Sequence, residues 1–236
     1  MAEIEDGRKF EKIALDFLKQ NNLPEAESNF IQALTHMKQS GDEEGQAYVL
    51  GNLGNLCFQS RRLDKAEEYY GKALTYMEKV NDIRGIESSL GNLGSVLFYK
   101  GNLNEAEKTY KKALKFLEDA NDTEGQSIYN ENLGNVYLKK EELAKAEDYF
   151  NRAKTLLDSE KNKDRIKAVE DKLDALQKHP KYVEGKEGNL LNEIESLKKG
   201  GKKREALAKY QELEELYYQG GSIAKAADTI SKSIEI

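Results

Sequence analysis

Apolar and small residues recur every 40 residues, without insertion or deletion, over the first two thirds of this 236-residue chain. Within one period, residues spaced three and four apart form one apolar stripe on each of two successive helices. A strict period of this length is typical of a helical unit that stacks on copies of itself. The pattern therefore predicts an all-α protein. In the second copy the stripes are Leu50, Leu53, Gly54 and Cys57, then Leu63, Ala66, Tyr70, Ala73 and Leu74.

Each register of the repeat holds one kind of residue, small or aromatic, through four copies. Small residues let two helix axes approach closely, and an aromatic ring fills the space between them. Short polar turns force each pair of helices to run antiparallel, and Asp42, Asp82 and Asp122 between units offer helix N-caps. The series are Ala14, Gly54, Gly94 and Gly134; Ala26, Ala66, Ala106 and Ala146; Phe30, Tyr70, Tyr110 and Phe150; and Ala33, Ala73, Ala113 and Ala153.

This small–alanine–aromatic–alanine pattern resembles the tetratricopeptide repeat (TPR), in a long form of about 40 residues. The D-x-x-G…N-L-G-N wording is similar to that of Pins-type cell-polarity adaptors, kinesin light chains and bacterial peptide-sensing regulators. The resemblance covers residues 8–158. It implies a right-handed α-α superhelix of stacked antiparallel helix pairs (a TPR solenoid). It also implies that the protein binds other proteins.

The repeat pattern predicts two regions. Residues 1–160 form four regular TPR units of 40 residues, and residues 161–236 form degenerate TPR-like helices that end the solenoid. In the second region Asp174 and Glu214 stand where the frame requires a small residue, as is common in terminal units. The alternative is a separate C-terminal helical module, joined through the charged residues 159–163 and the break at His179-Pro180.

Charge and cysteine content exclude several classes of function. The chain has 37 basic and 43 acidic residues, which gives no electrostatic basis for general nucleic-acid binding. Residues 1–160 account for the acidic excess, with 21 basic and 29 acidic residues. The single cysteine, Cys57, excludes an internal disulfide and a multi-thiolate metal site. Its position on an apolar stripe favours a buried packing thiol over a redox sensor.

The N-terminal segment and the hydropathy of the chain bear on localisation. The first six residues carry three acidic side chains, where a signal peptide needs a basic start followed by an apolar run. No stretch approaches the roughly 20 apolar residues of a membrane span. We therefore expect a cytoplasmic protein.

Stacked helix pairs place their first helices on the concave face of the superhelix, and a polar stripe on these helices is the candidate partner-binding groove. Its residues lie four, three and four apart, on one helical face. Asparagine amides suit the backbone of an extended peptide, with Tyr48, Phe58, Phe98 and Tyr99 offering apolar contact. The candidates are Tyr48, Asn52, Asn55, Gln59, Ser88, Asn92, Ser95, Tyr99, Ile128, Asn132, Asn135 and Lys139.

Two features of this stripe admit a second interpretation. Its asparagines could instead bond across to neighbouring first helices as an inter-repeat ladder. Gly51 and Gly91 lie in mid-helix, where glycine costs about 1 kcal/mol relative to alanine. Either an approaching ligand or close helix packing explains them.

The sequence offers no candidate catalytic, cofactor or metal site. His36 and His179 have no cysteine or acidic residue at metal-ligand spacing, and Gly-Asn-Leu-Gly is not a dinucleotide-binding loop. The first helices also lack the cations with which some TPR proteins clamp a terminal carboxylate. The basic run at residues 198–204 fits an acidic partner or a lipid headgroup, or simply a solvated turn.

These observations predict a non-enzymatic scaffold or adaptor that binds a peptide or helix of a partner protein in its concave groove. The alternative is a regulator that acts through its irregular C-terminal helices, by inhibiting an enzyme or by self-association. Ile230, Ile234 and Ile236 end the chain with apolar residues, which suggests a homo-oligomeric contact there. The sequence does not identify the partner.

Overall fold

A computed structural model describes the backbone of residues 2–234 and the side chains of residues 5–233. The described residues form twelve α-helices and no strand, which confirms the predicted all-α class. The helices are α1 (Ala2–Lys19), α2 (Leu23–Ser40), α3 (Glu43–Gln59), α4 (Leu63–Val80), α5 (Ile83–Lys100), α6 (Leu103–Asp119), α7 (Thr123–Lys139), α8 (Leu143–Thr155), α9 (Lys163–Gln177), α10 (Pro180–Lys199), α11 (Lys203–Gln219) and α12 (Ile223–Ile234).

The chain divides into two compact units, Met1–Lys140 and Glu141–Ile236. In the first unit each helix from α1 to α6 packs against the helix that follows it, so that stacked helix pairs are confirmed there. In the second unit α8 packs on α9, α10 on α11, and α11 on α12. The predicted change from regular to degenerate repeats at residue 160 concerns the sequence pattern and stays a prediction.

Left-handed residues at intervals of 20 end the helices of the first unit. Glycine and asparagine adopt this conformation at the least cost, and the even interval gives helices of nearly equal length. In the second unit the interval is interrupted. His179, in extended backbone before Pro180, begins α10 three residues ahead of the 20-residue frame. The left-handed residues of the first unit are Asn21, Gly41, Arg61, Asn81, Gly101 and Asn121.

An aspartate caps the first helix of each repeat, as the sequence predicts. The side chain of Asp42 accepts a hydrogen bond from the backbone N–H of Gly45 at 2.8 Å, and the pairs Asp82–Gly85 and Asp122–Gly125 repeat it at 3.1 and 3.0 Å. A Cβ on Gly45 would lie 2.8 Å from Met37 Sδ. The glycine therefore leaves room for the preceding helix to pack against the cap.

The small and aromatic registers meet in the core of the first unit. Tyr70 is almost fully buried, and a Cβ built on Gly54 would lie 2.6 Å from its ring atoms Cδ1 and Cε1. Gly94 and Tyr110 repeat this contact, with a Cβ 2.6 Å from Cε1 of the ring. Glycine at this register therefore allows an aromatic ring to lie directly against the first helix.

Replacing Gly54 by alanine tests this contact. We expect Gly54→Ala to lower the free energy of unfolding by about 1–3 kcal/mol through overpacking, partly offset by the higher helix propensity of alanine. Gly71→Ala in α4 is the matched control, because a Cβ there meets nothing within 4 Å. Urea denaturation followed by circular dichroism measures both. Equal stability of the two variants would contradict the packing role of Gly54.

A second 40-residue series, which the sequence reading missed, ties helices together through glutamates on the second helix of each repeat. Arg62 donates two hydrogen bonds to the Glu27 carboxylate, at 2.8 and 2.9 Å. Lys100 pairs with Glu67 at 2.7 Å. The signal was the Ala-Glu pair that begins this register in four copies. The series comprises Glu27, Glu67 and Glu107 in the first unit, and Glu147 and Glu187 in the second, bonded to Lys186 and Lys225.

Glu107 carries the most hydrogen bonds of this series. Burial alone would raise the pKa of its carboxyl group, but hydrogen bonds from Lys111, Lys140 and Tyr137 outweigh burial and lower the pKa to about 2. A carboxylate whose pKa is depressed in the folded state stabilises the fold above its ordinary pKa of 4.5. That stabilisation is lost as the pH falls towards the folded-state value.

Glu107→Gln removes this titration. We expect the variant to lose about 1 kcal/mol of unfolding free energy at pH 7 and to lose less stability than the parent between pH 5 and pH 2. Chemical denaturation across this range measures the difference. Glu118→Gln on the same helix is the control, because Glu118 is exposed and forms no ion pair in the described part of the chain. Parallel pH profiles for the parent and Glu107→Gln would refute the assignment.

The C-terminal helices depart from the apolar pattern at several positions. Leu207 and Ile223 are exposed, whereas Thr229 is buried. Ile230 is half-buried, while the side chain of Ile234 and the whole of Ile236 lie outside the described residues. None of the described helices is long and apolar enough to cross a membrane.

Candidate partner-binding face

The twelve candidate groove residues all lie on α3, α5 and α7 of the first unit, and none of them is buried. We call this set the first-helix face. Asn52, Asn92, Ser95, Asn132 and Asn135 are half-buried, and the other seven are exposed. The 40-residue register therefore selects accessible side chains from three helices.

A cleft of about 250 Å³ opens between α3 and α5 on this face. Its lining includes five of the predicted residues and Gly51. It also includes Arg84 and Asp82, which the sequence reading did not select because they lie at the beginning of α5, outside the four registers. The predicted residues that the cleft brings together are Tyr48, Asn52, Asn55, Ser88 and Asn92.

The third register of the face has a structural role. The hydroxyl of Tyr70 donates a hydrogen bond to Asn55 Oδ1 at 2.6 Å, and that of Tyr110 donates to Ser95 Oγ at 3.0 Å. Asn55 and Ser95 therefore satisfy the polar ends of the buried rings. The sequence held a signal for this role, since hydroxyl-bearing tyrosine follows each of them at the same spacing of 15 residues.

The second register is more open to a ligand. Asn92 Nδ2 lies 3.5 Å from Asn55 Oδ1, at the outer limit of a hydrogen bond, and this is the kind of contact that an inter-repeat ladder requires. Within the described residues the side chains of Asn52 and Asn132 make no hydrogen bond. The ladder is therefore not continuous, and these amides keep their donors and acceptors.

Tyr48 is fixed in place at one end of the cleft. Its hydroxyl donates to Asp82 Oδ2 at 3.0 Å, while Asp82 Oδ1 caps Gly85. The hydrogen bond to Asp82 raises the pKa of Tyr48. Because the ring remains 47% exposed, this bond orients an apolar surface towards solvent.

An aromatic patch of Phe58, Phe98 and Tyr99 lies at the other end of the helices. The ring of Tyr99 lies 5.5 Å from that of Phe58 and 5.6 Å from that of Phe98, centroid to centroid. Tyr99 is 52% exposed. Two cations lie over the patch: Arg61 is 5.4 Å from the centroid of Tyr99, and Lys139 Nζ is 4.9 Å from that of Phe98.

The two mid-helix glycines have different surroundings. A Cβ on Gly91 would collide with the hydroxyl of Tyr129, a side chain of α7 that donates to the Glu87 main-chain oxygen at 3.3 Å. A Cβ on Gly51 meets nothing within 4 Å. Helix packing therefore explains Gly91, whereas Gly51 leaves an open position beside the cleft.

Alanine substitutions test this difference. We expect Gly51→Ala to raise the free energy of unfolding by up to about 1 kcal/mol through helix propensity. Gly91→Ala is its matched control in the same register and should lower the free energy through the clash with Tyr129. Thermal and urea unfolding measure both. If Gly51→Ala were the destabilised variant, the open position at Gly51 would be refuted.

Side chains that suggested other chemistry are accounted for by packing or solvent contacts. His36 stacks on Phe10 with centroids 5.4 Å apart, and burial raises the pKa of the Cys57 thiol. Among the described residues no group of three or more histidine, cysteine, aspartate or glutamate side chains is placed to hold a metal ion. The basic run lies at the turn between α10 and α11, where Lys199 pairs with Glu195 at 2.6 Å.

Comparisons with known proteins agree with the repeat. A family model described as "Tetratricopeptide repeat" matches residues 7–79 and 85–159. The comparison with curated proteins finds no match. The apo form of RapI aligns with 97% of this chain and 96% of its own, with a TM-score of 0.68 and 14% sequence identity.

Two further solved structures are similar. The STAND protein PH0952 of Pyrococcus horikoshii, which has a tetratricopeptide repeat sensor, aligns with 98% of this chain and 36% of its own, with a TM-score of 0.72 and 17% identity. A Rap protein complexed with competence and sporulation factor aligns with 98% of this chain and 74% of its own, with a TM-score of 0.58 and 15% identity. At these identities the likeness shows the fold alone.

Proposed function

Because the chain belongs to the tetratricopeptide repeat family, we propose that it is a non-enzymatic scaffold that binds a peptide or helix of a partner protein on its first-helix face. The observation that carries this proposal is the cleft beside Gly51. There a mid-helix glycine with open space around it adjoins an asparagine, Asn52, whose amide makes no hydrogen bond within the described residues.

Physical chemistry supports recognition of a peptide backbone at this cleft. An asparagine amide offers two donors and one acceptor, which matches the N–H and C=O groups of an extended segment. A glycine with no Cβ lets a backbone approach the helix closely. The side chains of Asn52, Asn92 and Asn132 repeat the same group on three successive first helices, so that one extended segment could contact all three.

Exposed apolar side chains on the same face supply contact area for the partner. Tyr48, Tyr99 and Ile128 are each about half exposed, at 47, 52 and 45%. Isolated exposed apolar residues are common on protein surfaces. These three, however, lie at registers of a single face, and one similar fold, the Rap protein, has been solved with a bound factor. Both facts favour a binding role for the face.

The triple variant Asn52→Ala/Asn92→Ala/Asn132→Ala tests the proposal. We expect it to lose the proteins that the intact chain captures from its native cell extract, because each amide contributes about 0.5–1.5 kcal/mol in direct hydrogen bonds. Far-UV circular dichroism should stay unchanged, since these side chains carry none of the core packing. Affinity capture followed by mass spectrometry compares the two captured sets.

The matched control replaces three asparagines of second helices, as Asn29→Ala/Asn104→Ala/Asn151→Ala. This variant should capture the same proteins as the parent. Capture that is unchanged in the first-helix triple variant would refute the groove. That result would instead favour the alternative in which the C-terminal helices bind the partner.

A further inference from the structure

The charge of the first-helix face is opposite to that of the unit that carries it. Residues 1–140 have 18 basic and 23 acidic side chains. The four registers of the face, extended to α1, hold sixteen residues with four cations and no carboxylate. The additional residues from α1 are Arg8, Lys12, Leu15 and Lys19, all of them exposed.

The carboxylates of the unit are largely used elsewhere. Glu27, Glu67 and Glu107 bind cations between helices, and Asp82 holds Tyr48 and its cap. Four further carboxylates border the face without occupying its registers. Of these Glu11 and Glu131 are half-buried, and Glu44 and Glu124 lie in the first turns of α3 and α7.

Two cations at the aromatic patch have rings as neighbours in place of carboxylates. Arg61 lies over Tyr99, and Lys139 lies over Phe98. Both side chains are exposed, and within the described residues neither forms an ion pair with a carboxylate. By contrast Lys100, close by in sequence, pairs with both Asp64 and Glu67. The patch therefore presents an exposed apolar ring between two cations.

We propose that the occupant of the first-helix face is an acidic peptide segment with one aromatic or large aliphatic side chain. This inference rests on the proposed function and specifies its partner. The apolar side chain packs on Tyr99, and the carboxylates beside it pair with Arg61 and Lys139. Further carboxylates lie towards Arg8 and Lys12 on α1. Charge complementarity of this kind determines specificity and association rate more than raw affinity.

A library of short random peptides displayed on phage and panned against the intact chain tests the occupant. We expect the enriched peptides to have net negative charge and one large apolar residue. The affinity of a selected synthetic peptide, measured by fluorescence anisotropy, should fall as NaCl is raised, because exposed charges are screened. Enriched peptides that are neutral or basic would overturn the inference.

The double variant Arg61→Gln/Lys139→Gln localises the contact. We expect it to bind the selected peptide about tenfold more weakly at low salt, with a smaller dependence on NaCl. Lys65→Gln/Lys115→Gln removes two exposed lysines of second helices and should change the affinity less than about twofold. Circular dichroism and urea unfolding confirm that both variants fold. Equal binding by the double variant and the parent would overturn the inference.

Two comparisons distinguish the possible failures. If the selected peptides bind the Asn52/Asn92/Asn132 triple variant as tightly as the parent, the proposed groove itself fails. If the triple variant loses binding but Arg61→Gln/Lys139→Gln does not, the groove stands and the acidic occupant is wrong. An oligothymidylate serves as a polyanion without peptide character. Tighter binding of this probe than of the peptide would assign the cations to nucleic acid and overturn the inference.

Discussion

The close approach of an aromatic ring to a glycine is the contact on which the first unit depends. Gly54 lets the ring of Tyr70 lie against α3, and Gly94 does the same for Tyr110 against α5. Any Cβ at these positions would enter the ring, so helix separation and residue type are coupled. Because the contact recurs every 40 residues, each helix pair has the same spacing and stacks on the next in the same way.

This packing also determines which polar residues of the first helices are available to a partner. A buried tyrosine needs a partner for its hydroxyl group, and Asn55 and Ser95 provide it. Asn52, three residues earlier, lies beside the same ring but outside its reach, next to Gly51. One stripe of polar residues therefore divides into a register that completes the core and a register that remains available for binding.

Ion pairing shapes the surface in a comparable way. Glutamates on the second helices hold cations from following helices, which uses negative charge for contacts between helices. The first helices receive no such carboxylates at their exposed registers, and the cations there lie over aromatic rings. An acidic unit therefore carries a cationic face, and this contrast is the basis for the acidic partner.

The sequence by itself determined the helical class, the pairing of helices, the caps at Asp42, Asp82 and Asp122, and the exposed stripe, because each follows from local spacing and residue type. It did not separate Asn52 from Asn55 or Gly51 from Gly91, nor did it place Arg61 over Tyr99. Only the tertiary structure decided these, since each depends on a side chain from another helix: Tyr70 for Asn55 and Tyr129 for Gly91. Periodicity shows which residues share a face, whereas contacts across helices decide which of them are already engaged.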